Sequence, residues 1–220
     1  MLRFRTAWIL VPILLAASCR NFRLRRAAVP EVLIRTPGGF EQGVSTTEGV
    51  LFLARTADRG PAKVHYEIEG APVVEAGTIR TSRGPIRRVD LEVPIPSAPI
   101  SFDPIRPGES LLLMIRKESG VLSYGVRVPV EGPLLGDVVH KPSGLELGPE
   151  QVGAGVFRSG REGPVLVGLV KGVAEVEGGG AYLLLAALPE FRATLLTPRR
   201  SVERIETRYR ADGTRIRVRK

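Results

Sequence analysis

A single cysteine in 220 residues, Cys19, excludes any disulfide within the chain, so a folded body has to be held by apolar packing. There are two histidines, His65 and His140, and no HxH, HxxxH or CxxC spacing, which leaves no recognisable metal-ligand pattern. Aromatic residues make up 5% of the chain and the one tryptophan is Trp8, so rings are too few for a platform that stacks bases or sugars. Gly178, Gly179 and Gly180 are followed by neither a lysine nor a helical pattern, so no phosphate-cradling loop is present. No metal and no cofactor are expected. The longest apolar run, Ala7 to Ala17, is shorter than the about 20 residues of an ordinary membrane-spanning helix.

What the chain has in quantity is turn formers and arginine. Its 25 glycines and 18 prolines favour many turns over long helices. The formal charge of +9 is unevenly placed. Residues 27–198 hold 17 basic and 20 acidic side chains, a net of −3, whereas residues 199–220 hold 9 and 3, a net of +6. Arg20, Arg23, Arg25 and Arg26 cluster near the start. A mildly acidic body between two basic ends is not the pattern of a nucleic-acid binder. Arginines beside a membrane anchor are worth about 1 kcal/mol each near anionic headgroups; a solvated linker is the alternative.

The start has the parts of a secretory signal: Arg3 and Arg5, the apolar run, then small residues at Ala16, Ala17 and Ser18. Leu15-Ala16-Ala17-Ser18-Cys19 resembles the lipobox of bacterial lipoproteins, although the family's favoured leucine three before the cysteine is here Ala16. The resemblance implies cleavage before Cys19, a diacylglycerol thioether on its sulfur and an acyl chain on its new amino group. Arg20 stands where an inner-membrane retention signal would carry aspartate, which implies the outer membrane of a bacterial envelope. The chain then divides into a signal peptide (1–18), a lipidated basic tether (19–31), an all-β body (32–198) and an arginine-rich tail (199–220).

In the body, short apolar or alternating runs close on glycine or proline. Residues 27–49 read as tether and first strand, with Val32-Leu33-Ile34 before the turn Pro37-Gly38-Gly39. Lys63 to Glu69 places Val64, Tyr66 and Ile68 on one face and His65, Glu67 and Glu69 on the other. Further runs at 50–54, 73–80, 88–93, 111–116, 122–130, 138–139, 152–157, 165–170, 173–176 and 181–185 predict a barrel or sandwich of many short antiparallel strands. A short helix is expected from Pro189 to Leu196. In the tail, Asp212-Gly213 between alternating segments predicts a two-residue hairpin turn. That turn would set Arg208 opposite Arg217 and Arg210 opposite Arg215. Like charges directly opposite are destabilising, and water and salt, acidic residues of the body or an anionic partner would have to offset them; Arg208, Arg210, Arg215 and Arg217 are the expected contacts to an anionic surface, with a solvated face as the alternative.

One order of landmarks resembles that of trypsin-like serine proteases: Gly49 to Ala54, then Val64-His65, then Asp90, then Gln151-Val152-Gly153-Ala154-Gly155-Val156-Phe157. The resemblance implies a two-barrel fold, with His65, Asp90 and Val152 in the triad's places. Val152 occupies the nucleophile's place, and valine cannot attack a carbonyl, so acyl transfer is lost. Read from the residues alone, His65 is an outward strand residue, Asp90 a strand-edge charge and Val152 to Phe157 a core strand. The expected protein is lipid-anchored and non-catalytic. It would bind an envelope protein, anionic lipid or lipopolysaccharide. The alternative is a divergent or inactive trypsin-like serine hydrolase.

Overall fold

The structure, a computed structural model, describes residues 29–55, 59–80, 84–117, 119–134, 136–146, 148–177 and 180–192, together with the strands at 205–209 and 215–219. Residues 1–28, and with them the signal, Cys19 and most of the tether, lie outside the described residues.

Six strands come first: β1 (Glu31–Thr36), β2 (Gly39–Thr46), β3 (Gly49–Leu53), β4 (Gly60–Ile68), β5 (Ala71–Arg80) and β6 (Ile86–Leu91). They close into an antiparallel barrel in the order β1-β2-β3-β6-β5-β4. The alternation read in β4 sets the inside: Ala62, Val64 and Tyr66 are buried with Val32, Ile34, Val50, Phe52, Ile79 and Val89. Ile68 shares their phase but is exposed, because β4 and β5 run beyond the barrel wall before turning.

Six more strands follow: β7 (Ser110–Lys117), β8 (Gly120–Arg127), β9 (Val138–His140), β10 (Gly155–Gly160), β11 (Gly163–Val176) and β12 (Gly180–Ala187). They form an antiparallel sheet in the order β8-β7-β10-β11-β12-β9 around Leu113, Ile115, Val139, Val156, Val167, Leu183 and Leu185. Its edges, β8 and β9, come near each other without a described pairing, so this second barrel is open on one side. A third apolar cluster joins the two units: Val44, Leu51, Leu53 and Ile86 from the first meet Phe157, Leu166, Leu169 and Ala186 from the second. Burial of the valine, leucine, isoleucine and phenylalanine side chains among them stabilises by about 1.5–3 kcal/mol each. The linker is tied to both. Ala98 exchanges backbone hydrogen bonds with Ser45 and Thr47, and Leu166 with Pro99 and Ser101.

The expected all-β class holds, and of the expected architectures the chain adopts the two-barrel one. Residues 27–49 carry two strands instead of one, because Pro37 and Gly38 turn the chain straight back. The runs 165–170 and 173–176 are a single strand with a bulge between Val170 and Gly172. Where a helix is expected at 189–196, Leu188–Phe191 is a 3-10 segment and Arg192 is α-helical, and residues 193–196 lie outside the described residues.

The tail forms β13 (Ile205–Tyr209) and β14 (Arg215–Arg219), paired antiparallel, with residues 210–214 between them outside the described residues. Its register corrects the sequence expectation by one residue. Arg208 pairs with Ile216, Thr207 with Arg217 and Tyr209 with Arg215. A slip of one changes every cross-strand partner, and here no arginine stands opposite another.

Candidate functional site

A groove of about 350 Å³ runs along the seam between the barrels, lined by Leu33, Phe40, Glu41, Gln42, Arg116, Lys117, Glu150 and Gln151. β1 and β2 supply one wall, the end of β7 another, and the 3-10 turn Pro149–Gln151 the floor. Gln42 joins the walls. Its Nε2 donates to the Arg116 carbonyl at 2.6 Å and its Oε1 accepts from the Arg116 amide at 3.1 Å, so one buried side chain pairs with a β7 residue as a neighbouring strand would. The Arg116 guanidinium, itself buried, donates through Nη2 to Glu67 Oε1 at 2.7 Å.

Glu31, assigned to the tether by sequence, is the first residue of β1 and is fully buried. Its Oε1 accepts from the Gly155 amide at 3.2 Å, while Oε2 is buried without a partner. Burial pushes its carboxyl well above the usual carboxylate range, against the smaller opposing pull of that hydrogen bond and of Arg116. Space here is tight: a Cβ on Gly155 would lie 2.5 Å from Glu31 Oε1 and 2.6 Å from the Phe157 ring. At Gly153 the backbone has φ +97°, and a Cβ would lie 2.5 Å from the Gln42 carbonyl oxygen of the facing barrel.

The amides from Gln151 to Ala154 are turned to acceptors within the protein. The Gln151 amide donates to the Gly148 carbonyl at 3.1 Å, Val152 to Pro149 at 3.3 Å, Gly153 to Val170 at 2.8 Å and Ala154 to Gln151 at 3.1 Å. Four successive N–H groups are therefore used within the protein, and none is left aimed at a developing oxyanion. Val152 itself packs against the apolar cluster between the barrels.

The three residues read from the sequence as triad positions lie in separate surroundings. His65 is on β4, pairs with Leu33 of β1 and Val74 of β5, and its ring meets Phe40 edge-on. Asp90 is on β6 opposite Thr78, held by Arg80 at 2.9 Å and Arg88 at 2.9 Å. With β5 between them and four residues of offset along it, they are separated by about two strand spacings across and about 13 Å along the sheet. Both face outward from the first barrel, opposite in phase to Val64 and Val89. The chain leaving the Gly49–Leu53 strand brings Arg55 to the groove. Arg55 forms an ion pair with Glu41, whose carboxylate accepts from Arg55 Nε at 3.0 Å and from its amide at 3.1 Å.

Ser143 and Ser159 are exposed and do not line the groove. Among the described residues no three His, Cys, Asp or Glu side chains gather as a metal site. A larger hollow of about 470 Å³, lined by Asp103, Arg106, Glu109 and Arg158, lies against the linker. One of its two cations is already committed: Arg158 binds Glu109, Ser101 Oγ and the Pro104 carbonyl. Sequence reading missed Glu31, Glu41, Gln42 and Arg116. Gln42 and its partner are 74 residues apart, and no spacing rule joins them.

No family model matches the sequence, and no curated protein does. Solved structures do match. The inactive form of Rv3671c protease aligns with TM-score 0.52 and 16% identity, over 77% of this chain and 89% of that one. A human pathogenic astrovirus serine protease aligns at 0.47 and 12% over 74% and 92%. An inactive mutant of murine norovirus NS6 protease aligns at 0.45 and 15% over 70% and 91%. At such identities what is shared is the fold, and on the first of these alignments and its own strand order this chain has the two-barrel fold of trypsin-like serine proteases.

Proposed function

We propose that this is a trypsin-like fold without protease activity, used as a binding module and tethered to a bacterial envelope membrane. The groove lining carries the reading: its eight residues include no serine, threonine, cysteine or histidine, so among the described residues neither a nucleophile nor an imidazole base borders it. The internal use of the amides from Gln151 to Ala154 supports the same conclusion. A reactive-serine fluorophosphonate probe on the purified protein is expected to give no labelling. Stoichiometric labelling of a serine would overturn this reading and favour a divergent hydrolase.

The membrane part of the proposal rests on sequence. A lipidated Cys19 would hold the chain at the bilayer, each buried methylene contributing about 0.8 kcal/mol. The net +6 of residues 199–220, with Arg208, Arg210, Arg215 and Arg217, would favour anionic headgroups or lipopolysaccharide. Mass spectrometry of the native protein is expected to show a triacylated Cys19 as the first residue. Unlipidated protein should lose salt-sensitive flotation with anionic vesicles when residues 199–220 are deleted. A free thiol at Cys19 would remove the anchor, and unchanged flotation would remove the role of the tail.

A further inference from the structure

The outer face of the first barrel carries an exposed apolar track beside the groove. Leu33, His65 and Val74 form one row across β1, β4 and β5. The Phe40 ring meets the His65 ring with centroids 5.9 Å apart. Phe40 is 47% exposed and Val74 51%. Single exposed apolar residues are ordinary; side chains that adjoin one another in a row mark a surface for association.

The next row is cationic. Arg35 and Lys63 are cross-strand partners, both exposed, and the Arg35 guanidinium lies 5.7 Å from the centre of the Phe40 ring. Neither has an ion-pair partner among the described residues. On the groove side Glu41 is engaged by Arg55 and Glu67 by Arg116. His65 reports the resulting field. Burial, then Arg35 and Lys63, hold its imidazole below the usual histidine value, and its Nε2 is buried without a hydrogen-bond partner. On a body of net charge −3 this face is locally positive.

We propose that this track docks an extended acidic segment of a partner protein, its carboxylates on Arg35 and Lys63 and an apolar side chain across Phe40, His65 and Val74. The proposal rests on the binding-module reading above and supplies the chemistry of the partner. An acidic segment fits because two unpaired cations border the apolar row, and opposite charge steers encounter and suppresses wrong partners.

The test uses the full chain and a fluorescent synthetic peptide alternating glutamate with leucine or phenylalanine, followed by anisotropy. Residues 199–220 are strongly basic, so the readout is the effect of substitutions on the track and not total binding. Arg35→Gln combined with Lys63→Gln is expected to weaken binding about tenfold, and Val74→Ser about threefold. Both changes are at exposed positions, and circular dichroism checks that the fold is kept. The His65 ring resonances are expected to shift as peptide is added. Binding within twofold of the unsubstituted protein by both variants, or unmoved His65 resonances at saturation, would overturn the proposal. Serine labelling would sink the binding-module reading without altering these measurements, so the two failures are distinguishable.

Discussion

Replacing Gln42 with leucine is expected to lower the unfolding free energy by about 2–5 kcal/mol. Leucine keeps the volume and removes both hydrogen bonds to Arg116, whose amide and carbonyl then remain buried with no other partner described for them. Each orphaned buried group costs about 1–3 kcal/mol, more than a typical hydrogen bond contributes when made. The damage should concentrate at the seam. Gln42 belongs to the first barrel and Arg116 to the second, so the substitution loosens one unit from the other while leaving each core intact. Urea unfolding followed by far-ultraviolet circular dichroism measures the loss, and hydrogen exchange at the Arg116 amide locates it. A loss below about 1 kcal/mol would mean that water reaches the seam and replaces the side chain.

The contrast between what sequence reveals here and what it hides follows from the range of the interactions. Val64 and Tyr66 are legible because a strand with one buried face alternates at a period of two, and that pattern is local. The same holds for the outward phase of His65. β2 escapes notice because its polar residues are not on a solvent face: Glu41 and Gln42 are buried, the first against Arg55 and the second against β7. Residues 165–176 look like two strands because a bulge interrupts the phase. The tail was legible as a hairpin, but the Asp-Gly signal alone placed its register one residue off. The resemblance to trypsin-like proteases was carried by a series of apolar strands and glycines, and that part is the fold. His65 and Asp90 matched only in order along the chain; the registers of β4, β5 and β6 separate them.

Glu31→Gln is expected to stabilise the protein at neutral pH, by an amount that grows as pH rises. The native carboxyl of Glu31 titrates well above its unfolded counterpart, chiefly because burial disfavours the charge. Below the ordinary carboxylate range both states are protonated, and the stability tied to this group is fully present. Once pH passes that range the unfolded chain releases its proton while the native one retains it, and stability falls by up to about 1.4 kcal/mol per pH unit until the raised native pKa is reached. Among the described residues Arg116, from β7, is the charged group that acts on Glu31, and it is itself paired with Glu67 of β4; β10 contributes the Gly155 amide. Glutamine has the shape of the protonated acid, can still accept from Gly155, and has no proton to lose, so its stability should not carry this slope. Contributions common to both proteins, such as Glu109, held below its usual range mainly by Arg158, cancel in the difference. Urea midpoints for the two proteins at pH 5, 6 and 7 give that difference directly. A constant difference across the series would show that Glu31 ionises in the native protein as freely as in the unfolded chain, and the seam would then have to admit either water or the free Nη1 of Arg116 to its second oxygen.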